Sequence, residues 1–330
     1  MARPLTFVDL SAFSGGLASG MEAAGFQLRM ALTASELGSR TIRANRPDWR
    51  VVRGTAAGMD ASSFSGVDLV SATIRGLPGG ADGTPGDPLG DVLTVVESAK
   101  PAAVLVSASP ELAAPRFALY RERVVRQLEA LGFQAGWQQF EMPWFGIPQR
   151  RRIFVLVAGD PTRFSGFSWP ARVGGDVSLG RYLYPQMGEN GWPGALFWAS
   201  RSAGIGPAIM PDVDQDEPNL GSAFSTVEWH TLAIDGYAIA ESAPGADGAL
   251  EQNPQLTMGM IAHLQGFARD WRFVGSPSEQ LRQIAGDFPP LIAASIGRSI
   301  AASLRAGVVE QPAFGVSTLS GTESVARAAG

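Results

Sequence analysis

Short apolar stretches alternate with helical stretches over the first half of this chain. Stretches with the length and composition of buried strands lie at 5–10, 30–32, 67–72, 103–106 and 153–158. Helical patterns separate them at 17–24, from 33 to 45, at 93–99 and at 117–131. Strands that alternate with helices favour a parallel, doubly wound sheet. We therefore predict an α/β fold whose ligands bind at the carboxyl ends of the strands.

The character of the sequence changes at about residue 160. Over 160–254, Pro, Gly and Trp are frequent and no long helix is apparent, which indicates a small, irregular second domain. Helical periodicity returns over 255–305 and indicates a return to the first domain, which spans 1–159. Residues 306–330 are small and polar, which is typical of a tail.

Composition excludes several kinds of chemistry. The sequence contains no Cys, which excludes disulfides, thiolate metal sites and cysteine nucleophiles. Two histidines, His230 and His263, are too few for a usual zinc cluster, and we expect ordinary polar roles and no metal. The net charge of -5 gives no global basic field. We find neither a membrane span nor a secretory signal and expect a cytoplasmic protein.

Seven short motifs follow one another in a fixed order. They are FVDLSAFSGGLASGMEAAGF at 7–26, ALTASELGSRTIRANRP at 31–47, VDLVSATIRGLPGGADG at 67–83, KPAAVLVSAS at 100–109, FGIPQRRRIFVLVAG at 145–159, LTMGMIAHLQGFARDWRF at 256–273 and PPLIAASIGRSIAASL at 289–304. Their order resembles that of the bacterial cytosine-5 DNA methyltransferases, which carry a variable target-recognition region where this chain has 160–254. The resemblance implies a Rossmann-like doubly wound sheet of the S-adenosylmethionine-dependent type, with a small second domain.

The resemblance also implies a covalent reaction. In the family a cysteine thiolate adds to carbon 6 of a flipped cytosine, a glutamate contacts N3, and carbon 5 takes a methyl group from S-adenosylmethionine. The register set by Asp68 places Gly76 at the nucleophile position and Ser107 at the glutamate position. We do not expect Glu111, four residues further on, to return to the same place.

Hydroxyl groups are weak substitutes for the thiolate. Ser71, Thr73 and Ser107 are close in sequence to the two catalytic positions. An alcohol without an activating base is a poor nucleophile at neutral pH. We therefore expect no catalytic residue in this chain.

The cofactor loop is altered as well. The resemblance aligns Asp9, Gly15 and Gly16 with the family pattern Asp-Leu-Phe-x-Gly-x-Gly-Gly, and these three residues are candidate cofactor contacts. Phe13 replaces one glycine of that pattern, and Thr33 stands where an acidic residue should hold the ribose hydroxyls. Loss of such a charged acceptor costs roughly 1.5–3 kcal/mol. The sequence therefore predicts that no cofactor is bound.

The Gln-plus-arginine motif is still recognisable. The resemblance makes Gln149, Arg150 and Arg152 candidate nucleic-acid contacts, because arginines hold phosphate groups well. Alternatively, Arg152 only ties loops together by hydrogen bonds. The segment 211–218 is acidic and would repel DNA, so we do not expect independent sequence-specific DNA reading.

Three functional hypotheses remain. The first is a catalytically inactive homologue that forms a heterodimer with an active cytosine-5 DNA methyltransferase as its accessory or regulatory subunit and meets DNA through the complex. The second is a stand-alone DNA-binding protein without chemistry. The third is an active cytosine-5 methyltransferase with a shifted site.

Overall fold

A computed structural model describes residues 3–59, 61–79, 87, 89–173, 175, 177–209, 220 and 223–306. Within them a central sheet has seven strands: β1 (Leu5–Asp9), β2 (Phe26–Thr33), β3 (Val51–Arg53), β4 (Leu69–Thr73), β5 (Ala103–Ala108), β6 (Gln134–Glu141) and β7 (Arg152–Gly159). The helices that accompany it are α1 (Gly16–Ala23), α2 (Glu36–Asn45), α3 (Gly90–Ala99), α4 (Ala118–Ala130), α5 (Leu179–Met187), α6 (Ala195–Arg201), α7 (Ala223–Thr231), α8 (Met258–Leu264), α9 (Pro277–Gly286) and α10 (Pro290–Ala306).

The sheet has the order β3-β2-β1-β4-β5-β7-β6. Strands β1 to β5 pair in parallel, which confirms the predicted doubly wound α/β fold. At the other edge of this parallel sheet, strand β7 runs antiparallel to both β5 and β6. The strands β6 and β7 follow one another as a hairpin-like pair, and such a pair is antiparallel by connectivity.

Apolar side chains cover both faces of the sheet. Leu69 and Leu105 face α1 and α10, whereas the neighbouring Val70 and Val106 face α3 and α4. This alternation follows from the two-residue period of a strand. Because the inner strands β1, β4, β5 and β7 are buried on both faces, they are continuous apolar stretches in the sequence.

A third group of buried side chains lies away from the sheet. Helices α5 to α7 contribute Leu183, Trp198 and Trp229, and α8 and α9 contribute Ile261 and Ile284. The indole nitrogen of Trp198 donates to the carbonyl oxygen of Ala233 at 3.0 Å. Helices α8 and α9 therefore pack with the irregular part of the chain, while α10 packs on α1 beside the sheet. The domain limits given above stay a prediction.

None of the helices in the described part of the chain is long and apolar enough to cross a bilayer.

Helix α10 approaches α1 closely at Gly20. A Cβ atom added to Gly20 would lie 2.3 Å from the Cβ of Ala293 and 2.4 Å from the carbonyl oxygen of Pro290. We expect Gly20→Ala to lower the free energy of unfolding by about 1–3 kcal/mol, since the two helices must separate. Urea denaturation followed by circular dichroism measures the change.

Gly259 in α8 provides the matched control. The nearest atom to a Cβ added there is the hydroxyl oxygen of Thr257, at 3.8 Å. Gly259→Ala should be neutral or stabilise by about 0.5–1 kcal/mol, because alanine favours a helix. Equal effects of the two substitutions would contradict the close packing of α1 on α10.

Candidate functional site

A cavity of about 800 Å³ opens at the carboxyl ends of β4 and β5. The strand order reverses between β1 and β4, the place where doubly wound sheets bind their ligands. The Ser11 hydroxyl links the loop after β1 to the end of β4: it donates to the Thr73 carbonyl at 2.8 Å and accepts from the Thr73 amide at 2.6 Å. Polar side chains of the cavity include Arg75, Ser107, Ser109, Glu111, Arg150 and Arg152.

The two positions predicted to have lost their catalytic side chains lie near each other. Ser107 is buried near the end of β5 and lines the cavity. Its carbonyl accepts from the amide of Ile74 at 2.8 Å, which joins the end of β4 to β5. Gly76 lies two residues beyond Ile74 in the same loop. Ser71 is fully buried and donates to the carbonyl of Val8, so its hydroxyl is turned into the sheet.

Glu111 lines the same cavity as Ser107, and the expectation that it does not take the place of the lost glutamate stays a prediction. A 3₁₀ turn, Pro110–Ala113, begins directly after β5 and returns the chain over the strand end. Ser109 and Glu111 both line the cavity, and the Ser109 hydroxyl donates to the Glu111 carboxylate. The cavity therefore contains a carboxylate four residues from the position where the motif predicts one.

The three arginines of the loop before β7 differ in their exposure and in their partners. Arg151 donates to the side-chain oxygen of Gln265 and, at 2.9 Å, to the carbonyl of Asp287. Burial lowers the pKa of Arg151 to about 10. Gln149 is fully buried and accepts from Gln265 at 3.0 Å. The tie between loops predicted for Arg152 is therefore made by Arg151, because neighbouring residues of an extended segment point in opposite directions.

All three arginines line the cavity, and Arg150 and Arg152 are more exposed than Arg151. The amide of Arg150 donates to the carbonyl of Gly206 at 2.8 Å, which fixes its backbone. Its guanidinium forms an ion pair with Glu228 of α7, with an N–O distance of 3.0 Å. Arg150 and Arg152 are exposed enough to bind an anion from solution. Their assignment as nucleic-acid contacts stays a prediction.

Asp287 closes the glycine turn that precedes α1. One carboxylate oxygen accepts from the amides of Ser14 and Gly16, each at 3.0 Å, and from the Ser14 hydroxyl at 2.6 Å. The other oxygen accepts from the amide of Phe288 at 2.7 Å. Gly15 has a φ of 99°, the left-handed conformation that favours glycine. The negative charge is favourable here because helix N-termini carry a partial positive charge.

Phe13 and Thr33, which replace residues of the family pattern, both contact other residues of this chain. The Phe13 ring lies 3.4 Å below the guanidinium carbon of Arg75, a cation–π contact. A Cβ atom added to Gly286 would lie 2.9 Å from this ring, so Phe13 packs against the end of α9. Thr33 is buried at the end of β2, and its hydroxyl accepts from the amide of Ser35 at 3.2 Å.

Asp9 is a buried carboxyl group with an open acceptor. It is fully buried at the end of β1, and one oxygen accepts from the amide of Ser11 at 3.2 Å. Its other oxygen has no hydrogen-bond partner within the described part of the chain. Burial, with a smaller contribution from the charge of Asp287, raises the pKa of Asp9 to about 7.

Comparison with known proteins gives the family of this chain. A model of the C-5 cytosine-specific DNA methylases matches residues 5–165. The chain is 31% identical to the Type II methyltransferase M.NaeI of Lentzea aerocolonigenes over 314 residues, which are 92% of this chain and 76% of that protein. The chain belongs to the C-5 cytosine-specific DNA methylase family.

Other family members agree with this assignment. The Type II methyltransferase M.NgoMIV of Neisseria gonorrhoeae is 28% identical over 91% of this chain and 98% of its own length. Among solved structures, the Dnmt2 methyltransferase of S. pombe superposes with a TM-score of 0.60 at 13% identity, covering 92% of this chain and 99% of that one. At that identity the structural likeness supports the Rossmann-like fold alone.

Membership of the family overturns the expectation that no cofactor is bound. C-5 cytosine-specific DNA methylases depend on S-adenosylmethionine, and the relatives matched above are methyltransferases. The described residues fit such a group in two respects, since Gly15 keeps the left-handed turn and Asp9 keeps an open acceptor at the end of β1. The replacements at Phe13 and Thr33 therefore do not exclude a cofactor site. Asp9, Gly15 and Gly16 remain the predicted cofactor contacts.

Titration of Asp9 yields a pH prediction. Its pKa is about 7 in the folded chain and about 4 in an unfolded chain. The protonated form therefore contributes stability that is complete below pH 4 and is lost as the pH rises through 7. Relative to Asp9→Asn, the native free energy of unfolding should fall by about 1 kcal/mol per pH unit up to pH 7 and then level off.

Urea denaturation between pH 5.5 and 8.5 measures this difference. Asp270→Asn is the control, because Asp270 is an exposed carboxylate. Its stability should run parallel to that of the native chain at every pH. A parallel curve for Asp9→Asn would mean that Asp9 titrates at its ordinary value.

Proposed function

We propose that this family member does not methylate DNA by itself and acts as an accessory subunit of an active cytosine-5 DNA methyltransferase. The absence of a thiol carries the proposal. The 330-residue sequence contains no Cys, and Gly76 and Ser107 occupy the positions predicted for the nucleophile and the glutamate. Family membership gives the chain its fold, but the site decides what chemistry the fold performs.

The hydroxyl groups of the cavity do not replace the thiolate. A serine or threonine needs an adjacent base of adequate strength before it attacks an electrophile. The Ser109 hydroxyl has a carboxylate as its partner, Glu111. A carboxylate is a much weaker base than the imidazole that usually activates a serine. S-adenosylmethionine, when bound, supplies the methyl group, and carbon 5 of cytosine cannot accept it without prior attack at carbon 6.

The arginines support a role in holding DNA. Arg75, Arg150 and Arg152 line the cavity, and guanidinium groups bind phosphates with two parallel hydrogen bonds. Phosphate contacts position a protein on DNA without reading its sequence. The acidic segment 211–218, which argues against independent reading of DNA, lies outside the described residues. A partner that reads the sequence and supplies the thiolate would complete the function.

A second candidate function is favoured by the position of Glu111. Its carboxylate lies in the same cavity as Ser107, so one of the two catalytic groups has a substitute there. An active methyltransferase with a shifted site would use Glu111 and an unassigned nucleophile. A stand-alone DNA-binding protein would use the same cavity without a partner. The following two experiments separate these candidates.

The isolated chain should transfer no methyl group to DNA. Transfer of tritium from labelled S-adenosylmethionine to duplex DNA is the measurement, with a reaction lacking protein as the baseline. We expect incorporation at the baseline, because no thiolate is available to activate carbon 5. Incorporation that exceeds the baseline and disappears in Glu111→Gln would establish the shifted-site enzyme instead.

An active methyltransferase should co-purify with this chain. Expression of the tagged chain together with its neighbouring genes, followed by mass spectrometry, identifies the bound protein. We expect a cysteine-containing homologue, and methylation by the complex should disappear when that cysteine is replaced by alanine. Recovery of the chain alone, with tight DNA binding, would favour the stand-alone DNA-binding protein.

A further inference from the structure

The ion pair between Arg150 and Glu228 joins the cavity to α7. The two charged atoms are 3.0 Å apart, and the side chains keep 55% and 34% of their surface exposed. The backbone of Arg150 is fixed, because its amide donates to Gly206 and Gln149 forms a bridge with the same residue. The guanidinium of Arg150 therefore has a defined position on the surface, and its partner, Glu228, is accessible to solvent.

A carboxylate and a phosphate compete for the same guanidinium hydrogens. Both anions accept two parallel hydrogen bonds from arginine, so one guanidinium does not serve both fully. Arg150 lines the cavity beside Arg152 and Arg75, which attract a polyanion to its opening. In the free chain the Glu228 carboxylate already pairs with this guanidinium.

We infer that Arg150 is a binding site for a phosphodiester of DNA and that Glu228 is its internal competitor. The inference rests on the proposed DNA-binding role. When DNA binds, the phosphate takes the guanidinium and the Glu228 carboxylate turns to solvent. Glu228 lies in the last turn of α7, which ends at Thr231, so the exchange also releases one contact that holds this helix.

The energies allow this exchange. An exposed ion pair contributes about 1 kcal/mol at most, whereas each phosphate contact also releases counterions from DNA. The DNA contact therefore wins at low salt. Removing the competitor should tighten binding by the value of the ion pair, which corresponds to about two- to five-fold in the dissociation constant.

A double-mutant cycle on the full chain tests the inference. Fluorescence anisotropy with a labelled 30-base-pair duplex at about 50 mM salt gives the dissociation constants, and thermal melting confirms that each variant is folded. We expect Glu228→Gln to bind about two- to five-fold more tightly, and Arg150→Gln to bind several-fold more weakly. In the Arg150→Gln background, Glu228→Gln should have no further effect. A second duplex of different sequence should give the same ratios, because phosphate contacts are independent of sequence.

Glu241→Gln is the matched control, since Glu241 is an exposed glutamate in the same part of the chain. It should leave the dissociation constant unchanged. Equal tightening by Glu228→Gln with and without Arg150 would overturn the inference and leave general charge repulsion as the cause. No tightening by Glu228→Gln would overturn it as well. Failure of the native chain and all variants to bind either duplex would instead reject the DNA-binding role on which the inference rests.

Discussion

The Asp287 carboxylate is the interaction on which the arrangement of the site depends. It accepts from two backbone amides and one hydroxyl of the turn before α1, residues more than 270 positions earlier in the chain. Its own carbonyl accepts from Arg151, which also binds Gln265. One residue between α9 and α10 therefore joins the glycine turn, the arginine loop and the last two motifs. Removing such a buried charge leaves several donors unsatisfied at once, which costs more than any single hydrogen bond contributes.

This network also separates the three arginines by exposure. Arg151 is held by Gln265 and Asp287, whereas Arg150 and Arg152 are exposed, and all three line the cavity. The separation has a physical basis, since a buried guanidinium needs acceptors on all sides and an exposed one can exchange partners. The inward arginine organises the loop. Arg150 is exposed and paired with Glu228, so it can exchange that carboxylate for a phosphate from outside.

The sequence was sufficient for most of the sheet and for less of the site. Strands buried on both faces are visible as apolar stretches, whereas the short β3 and the polar edge strand β6 show no such pattern and were missed. The sequence did not indicate that Arg151 ties the loops or that Glu111 lines the cavity, because strand register and a 3₁₀ turn decide their directions. The expectation of no cofactor was wrong for a related reason. The side chains of Phe13 and Thr33 do not determine whether the backbone of the glycine turn is kept, and Gly15 still forms that turn.

The family's reaction has two parts, holding the base and transferring the methyl group. The cavity has a carboxylate and several arginines for the first part, and the sequence has no thiol for the second. Glu111, Arg150 and Arg152 line the cavity, and we propose that they hold a base and its phosphate, because those contacts need only charge and hydrogen bonds. Methyl transfer needs a covalent bond to carbon 6, since no arrangement of hydrogen bonds makes carbon 5 sufficiently nucleophilic. A chain that keeps the first part and lacks the second contributes to methylation only where another protein supplies the thiolate. That division is the physical ground for an accessory role.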